Sequence, residues 1–296
     1  MDFHLQRHGW SAEFLDAVRR DDFTGDAARD ERARLRELVR EHVDAGAGFL
    51  VMTGLDAVDP ERYEAALLWA SDVLGEVMAQ DKAGTLVRQV RNRGTTIGEG
   101  ESARYADSRH GGHLHTDGAE RSFPLPDYFT LLCVRAAKTG GSLRLVPVER
   151  VRDRLAAEPD VLTSLQQDFH FDRRGDQAPG EPATVRKPVL FTTDSGQAGV
   201  TYLRRYIDVG HGHPDVAALT GAQRHALDAF DSALDDPALA VEGRMAAGEL
   251  AVFNNLRMLH GRTEFDDHAD ADRARLLYRT WIQRKPSVHS GQDVDR

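Results

Sequence analysis

Hydrophobic residues recur at helical spacing over 28–45, ARDERARLRELVREHVDA, where Leu35, Leu38, Val39 and Val43 form one stripe. Gly46 and Gly48 predict its end. The apolar run GFLVMTGL (48–55) predicts a short buried strand. Asp59-Pro60 supplies an N-cap and first-turn pair, opening a second predicted helix over about 60–78. Its apolar stripe includes Ala65, Leu68, Trp69, Val73 and Leu74.

From about 85 to 146 the period shortens. TLVRQVRN, LHTDGA, DYFTLLCVRAA and SLRLVPV are β-rich and separated by Gly-containing turns, so each predicts a strand. A helical stretch follows over about 147–167, then strands near 168–172, 185–192 and 199–208, and a helix near 220–234. ELAVFNN, LRMLHGRTEF and RARLLYRTWIQR read as closely spaced strands, with DDHADAD (266–272) too polar to be anything but a turn. Many short strands with a few helices predict a mainly β fold with flanking helices, a distorted double-stranded β-helix or jelly roll. No internal repeat and no Pro-, Gly- or Ser-rich linker divides the chain. One domain is expected over 1–296, with 1–30 and 286–296 as peripheral or frayed ends.

Composition narrows the function classes. The 296 residues carry 38 Lys+Arg against 48 Asp+Glu, a net charge of −10, which argues against nucleic acid as a partner. No run approaches 18 consecutive apolar residues, so no membrane span is expected. The single cysteine, Cys133, lies in YFTLLCV and reads as a small buried strand residue. The N-terminus lacks a basic region followed by an apolar one, so no signal peptide is expected. A reducing, cytoplasmic setting is the expectation, with a small-molecule substrate and self-association left open.

Candidate chemistry centres on HLHTDGAE (113–120) and FNNLRMLHGRTEF (253–265). Two histidines and a carboxylate, here His115, Asp117 and His260, occupy one face of an octahedral Fe(II) ion and leave three positions open. The chain holds four His-x-Asp triplets, so the triplet alone decides little. Strand alternation would put His115 and Asp117 on one face, and Gly111, Gly112 and Gly118 allow a tight turn around them. His170, His213 and His268, which open the other three, read as surface or loop histidines. His110 and His113 raise a zinc site as a rival, although zinc prefers four ligands and no cysteine lies nearby. The segment RARLLYRTWI (273–282) is suited to clamping a dicarboxylate.

HTDG at 115–118, the Gly140-Gly141 turn, NNLRMLHGRTEF and RLLYRTWI resemble the TauD/TfdA branch of Fe(II)/2-oxoglutarate dioxygenases, in the clavaminate-synthase-like group. The resemblance runs from GFLVMTGL to Trp281. It implies a jelly-roll core, iron on His115, Asp117 and His260, and Fe(II), 2-oxoglutarate and O2 as cofactors. By motif position Arg275 would bind 2-oxoglutarate, with Arg279 supporting it or contacting substrate. Ser142, after the Gly-Gly turn, would supply a hydroxyl contact, although Leu143 holds the commoner slot. Asn254 stands where relatives often carry Asp, and Asn254-Asn255 reads as a structural turn.

The reaction implied is oxidative decarboxylation to succinate and CO2 coupled to hydroxylation of an unactivated C–H bond; the same cofactors serve desaturation, epoxidation and cyclisation. Asp117 argues against halogenation, because halogenating relatives lack this carboxylate. The expected substrate is a small polar metabolite, an amino acid or natural-product intermediate. Arg104, Arg121 and Arg204, with Arg205, Tyr105 and Tyr202 near them, are candidate substrate contacts. A cupin-like zinc hydrolase and a non-catalytic jelly-roll binding protein are the rivals of other classes.

Overall fold

The computed structural model describes residues 2–94 and 105–285. Among them, two sheets face each other. The larger has seven strands and contains Phe49–Thr53, Leu250–Asn254, Tyr128–Arg135 and Leu276–Gln283 at its centre. The smaller has four, in the order Val241–Gly243, Leu143–Pro147, Met258–Arg262, Gly112–His115. Phe49, Phe129, Leu131, Phe253 and Trp281 from the first sheet meet Leu143, Leu145 and Met258 from the second in one buried cluster. This interior between two largely antiparallel layers is the expected mainly β architecture.

Helices close the outer faces. Asp26–Leu38, continued as a π-helical turn over Val39–Asp44, and Tyr63–Leu74 cover the larger sheet. The second helix stops at Leu74, four residues short of the expected end. Gly75 lies against the carbonyl of Gln283 where a Cβ would sit 2.1 Å away, and Glu76–Met78 becomes a strand. Of the expected stripe, Trp69, Val73 and Leu74 are buried and Ala65 and Leu68 half-buried, and Tyr63, Ala66, Leu67 and Ala70 widen the buried face. Val148–Arg154, Pro159–Leu165 and Gly221–Leu234 pack outside the smaller sheet. The strand expected over 199–208 ends at Val200, and Arg204–Gly210 is a helix.

The N-terminal segment corrects another expectation. Residues 2–30 are not peripheral: Arg7–Gly9 pairs parallel with the Phe49–Thr53 strand, and Phe3, Phe14 and Val18 are at most 1% exposed. Phe14 stacks within 4.3 Å of the Trp69 ring, so this segment completes the core on the outer face of the larger sheet. The C-terminal residues from Pro286 lie outside the described residues. Among the described residues no helix is long and apolar enough to cross a membrane.

Candidate active site

The sheet register sets the first part of the site. His260 on Met258–Arg262 pairs directly with His115 on Gly112–His115, and the two rings lie 4.5 Å apart. Gly261 is required beside them, because a Cβ there would sit 2.8 Å from the carbonyl of Gly112. Phe129, from the opposite sheet, stacks on the His260 ring at 4.1 Å. The Nδ1 of His115 is hydrogen-bonded to the His113 carbonyl at 2.8 Å, which directs Nε2 toward the site.

Asp117 arrives differently from the expectation. The strand ends at His115, and Asp117 begins the turn that follows. What holds it is Asn255, fully buried, whose Oδ1 accepts the Asp117 N–H at 2.9 Å and whose amide donates to the Asp117 and Pro126 carbonyls at 3.0 Å. On its other side Thr116 is bound to Tyr202 by reciprocal 2.9 Å bonds, the Thr116 N–H to the Tyr202 carbonyl and the Tyr202 N–H to Oγ1. The carboxylate is thus fixed by two clips rather than by strand alternation.

Ligand atoms of His115, Asp117 and His260 lie within 4.8 Å of one another, and no other such group of His, Cys, Asp or Glu occurs among the described residues. Asp117 Oδ1 accepts from Arg279 at 2.7 Å; Oδ2 is buried with no hydrogen-bond partner, 4.0 Å from His260 Nε2. A buried carboxylate oxygen without a partner is costly, and a divalent cation is the partner that geometry invites. The electrostatics agree. Burial pushes the Asp117 carboxyl up, but Arg279 and the two imidazoles outweigh it and hold it below the usual range. Burial lowers both histidines, His260 to about 3, so each presents a neutral ring. His110 and His113 are exposed and do not join the group.

The two arginines share the inward face of Leu276–Gln283 and its approach, with Leu277 between them. Arg279 lines a pocket with His115, Asp117, Glu120, Tyr206 and Trp281. Gln80, fully buried and 199 residues away in sequence, holds it by accepting from Nε at 2.9 Å and donating to its carbonyl at 2.8 Å. Arg275 lines a small separate cavity with Gly140, Gly141, Leu143 and Arg244. It is 5% exposed, rests over the Phe265 ring, and makes no side-chain hydrogen bond or ion pair with any described residue. Burial lowers it to about 10. A guanidinium desolvated without a counter-ion is prepared for an anion.

Ser142 does not join this cavity: its backbone pairs with Thr263, and Leu143 turns inward in its place. Arg204 is committed elsewhere, to Asp208, Asp228 and Asp231 at 3.1, 2.9 and 2.6 Å, beside a Tyr202 hydroxyl that donates to Asp231. Three carboxylates thus fix its position, on the wall of a cavity that Tyr202 and Arg205 also line. Arg121 is half-buried over the Trp281 ring at 4.9 Å. Arg104 and the side chain of Tyr105 lie outside the described residues. Asn255, Gln80, Phe129, Glu120 and Arg244 are site residues that sequence reasoning missed. Of these, Asn255 sat in a turn already singled out, and Glu120 in the motif string itself.

Residues 4–281 match the family model described as taurine catabolism dioxygenase TauD, TfdA family. The chain is 28% identical over 218 residues to FR-33289 synthase of Streptomyces rubellomurinus, covering 71% of this chain and 60% of that protein. It is 34% identical over 159 residues to a uridine-5'-phosphate dioxygenase of an Amycolatopsis species, covering 50% and 54%. It thus spans between half and two thirds of these relatives' length. Among solved structures, an asparagine oxygenase complex with Fe(II), 2S,3S-3-hydroxyasparagine and succinate superposes with a TM-score of 0.70 at 24% identity, covering 94% and 93% of the two chains. The non-heme iron oxygenase OrfP with Fe and alpha-ketoglutaric acid gives 0.66 at 18%, covering 94% of each. The extent of the family match, over a chain whose two sheets converge on a two-histidine, one-carboxylate centre, places this protein in the TauD, TfdA dioxygenase family.

Proposed function

We propose that this chain is an Fe(II)/2-oxoglutarate-dependent dioxygenase that hydroxylates a small polar metabolite bearing an anionic group. The carrying observation is the pairing of two deficits: a two-histidine, one-carboxylate face with a buried, unpartnered Asp117 oxygen, and a buried Arg275 with no counter-ion. His115, Asp117 and His260 would hold the iron. The bound metal and its keto-acid co-substrate supply the dioxygen activation and C–H oxidation. Arg275 takes the far carboxylate of 2-oxoglutarate, bidentate and always charged. Arg279 keeps Asp117 ionised while occupying one of its oxygens, and its charge on the pocket wall suits an acidic group on the substrate. Phe129 holds the His260 ring by stacking, since its Nδ1 has no hydrogen-bond partner.

Relatives of two kinds support a small substrate that bears an anionic group: those named for uridine-5'-phosphate and those solved with hydroxylated amino acids. The pocket beside the triad is lined by the polar side chains of Arg279, Glu120 and Tyr206, a lining suited to a small polar metabolite. The test is succinate release from 2-oxoglutarate by the iron-loaded protein, with amino acids, nucleoside 5'-monophosphates and aminoalkylphosphonates offered in turn. Stimulation by one of them, with the matching hydroxylated product, is the expected result. Iron-independent turnover, or a hydrolysis product without succinate, would overturn it.

A further inference from the structure

The turn that presents Asp117 presents a second carboxylate that the chemistry above does not use. Gly118 sits at φ +75°, and a Cβ there would meet Pro126 Cδ at 2.9 Å. The Arg121 N–H closes the turn on the Gly118 carbonyl at 3.0 Å. Glu120 is therefore fixed three residues beyond Asp117, on the wall of the same pocket as Arg279.

Glu120 is 6% exposed, yet it accepts no hydrogen bond and forms no ion pair with any described residue. Its oxygens are not sealed off, so the carboxylate is open to a donor that enters the pocket. The nearby cation, Lys187, is not that donor. Its Nζ donates to the Arg121 carbonyl and lies 4.8 Å from the centre of the Phe171 ring. Lys187 is committed to that carbonyl, and the Glu120 carboxylate lines the cavity.

We propose that Glu120 receives a cationic nitrogen of the substrate, a primary ammonium or a guanidinium, opposite the anionic group taken by Arg279. The assignment rests on the oxygenase reading and sharpens it: the substrate is a zwitterion of amino-acid type rather than a purely anionic nucleotide or an acylated amine. A buried acceptor left unpaired by an analogue lacking the donor is a strong discriminator.

The test is calorimetric titration of the anaerobic protein loaded with Fe(II) and 2-oxoglutarate. The ligands are the L-amino acids, aminoalkylphosphonates, the N-acetyl form of each, and uridine 5'-monophosphate. A free-amine ligand should bind at least about tenfold tighter than its N-acetyl form. Glu120→Gln should shrink that preference to about threefold or less, while Glu120→Asp retains part of it. The visible band of iron-chelated 2-oxoglutarate, recorded first, should be unchanged in both variants, which separates loss of recognition from loss of fold. The inference is overturned if the tightest ligand lacks a cationic nitrogen, or if the preference survives in Glu120→Gln. A normal band with either result removes the role of Glu120 and leaves the oxygenase reading standing; no band in the wild type removes both.

Discussion

Asn255 touches no substrate and offers no ligand, yet it fixes Asp117 through both its amide atoms. Asn255→Ala removes the partner of three backbone groups, the Asp117 N–H and the Asp117 and Pro126 carbonyls, in a buried place. It should cost about 1–3 kcal/mol of stability, and iron affinity should fall roughly 10–100-fold, as for other residues that orient a ligand. Equilibrium unfolding and iron titration check the two effects separately. The arginines should part company in the same way. Arg275→Ala is expected to raise the KM for 2-oxoglutarate roughly 30-fold or more with iron binding kept, because a buried charge pair loses one partner. Arg279→Ala should weaken iron retention itself, because Asp117 loses the cation that holds it ionised. At this scale the grouping of His115, Asp117 and His260 was legible, because these are residue types whose chemistry announces itself. Gln80 was not, because nothing local ties a lone glutamine to an arginine 199 positions away. Ser142 misled because one residue of offset along a strand exchanges the inward and outward faces.

Among elements, the central strands of the two facing sheets were read well, since alternating and continuous apolar runs are decided by burial alone, whereas the three-residue strands Arg7–Gly9, Glu76–Met78 and Val241–Gly243 were missed. The ends of elements were read poorly. Tyr63–Leu74 stops where a backbone meets Gly75, and Arg204–Gly210 becomes helical where β-rich composition suggested a strand. Both are decided by tertiary neighbours that local pattern does not contain. The hairpin of Asp168–Asp172 with Thr184–Pro188 carries a buried lysine whose behaviour tests the packing. Burial lowers Lys187 to about 7, against an ordinary 10.5. Between those values the unfolded chain holds the extra proton, so wild-type stability should rise as pH rises through this window. Lys187→Met should therefore be the more stable protein at pH 7, by on the order of a few kcal/mol less the lost bond to Arg121. Its advantage should shrink toward pH 10. Denaturation midpoints at the two pH values decide this, and a constant difference would contradict it.

For the whole molecule, the N-terminal segment matters more than its sequence suggested, because a motif search rewards chemistry and not packing. Phe14 is fully buried between Trp10 and Trp69, so Phe14→Ala should cost about 3–5 kcal/mol in chemical unfolding. The same folding that buries it brings strands from opposite ends of the chain to one centre: His115 faces His260 across the smaller sheet, and Arg279 reaches Asp117 from the larger. That convergence is the central claim, and one measurement meets it directly. Anaerobic apo-protein is titrated with Fe(II) and then 2-oxoglutarate while the visible charge-transfer band of a chelated keto acid is followed. The wild type should develop the band, Asp117→Ala should not, and Arg275→Ala should need far more 2-oxoglutarate to reach it. Iron bound by the wild type with no band at saturating 2-oxoglutarate would contradict the account.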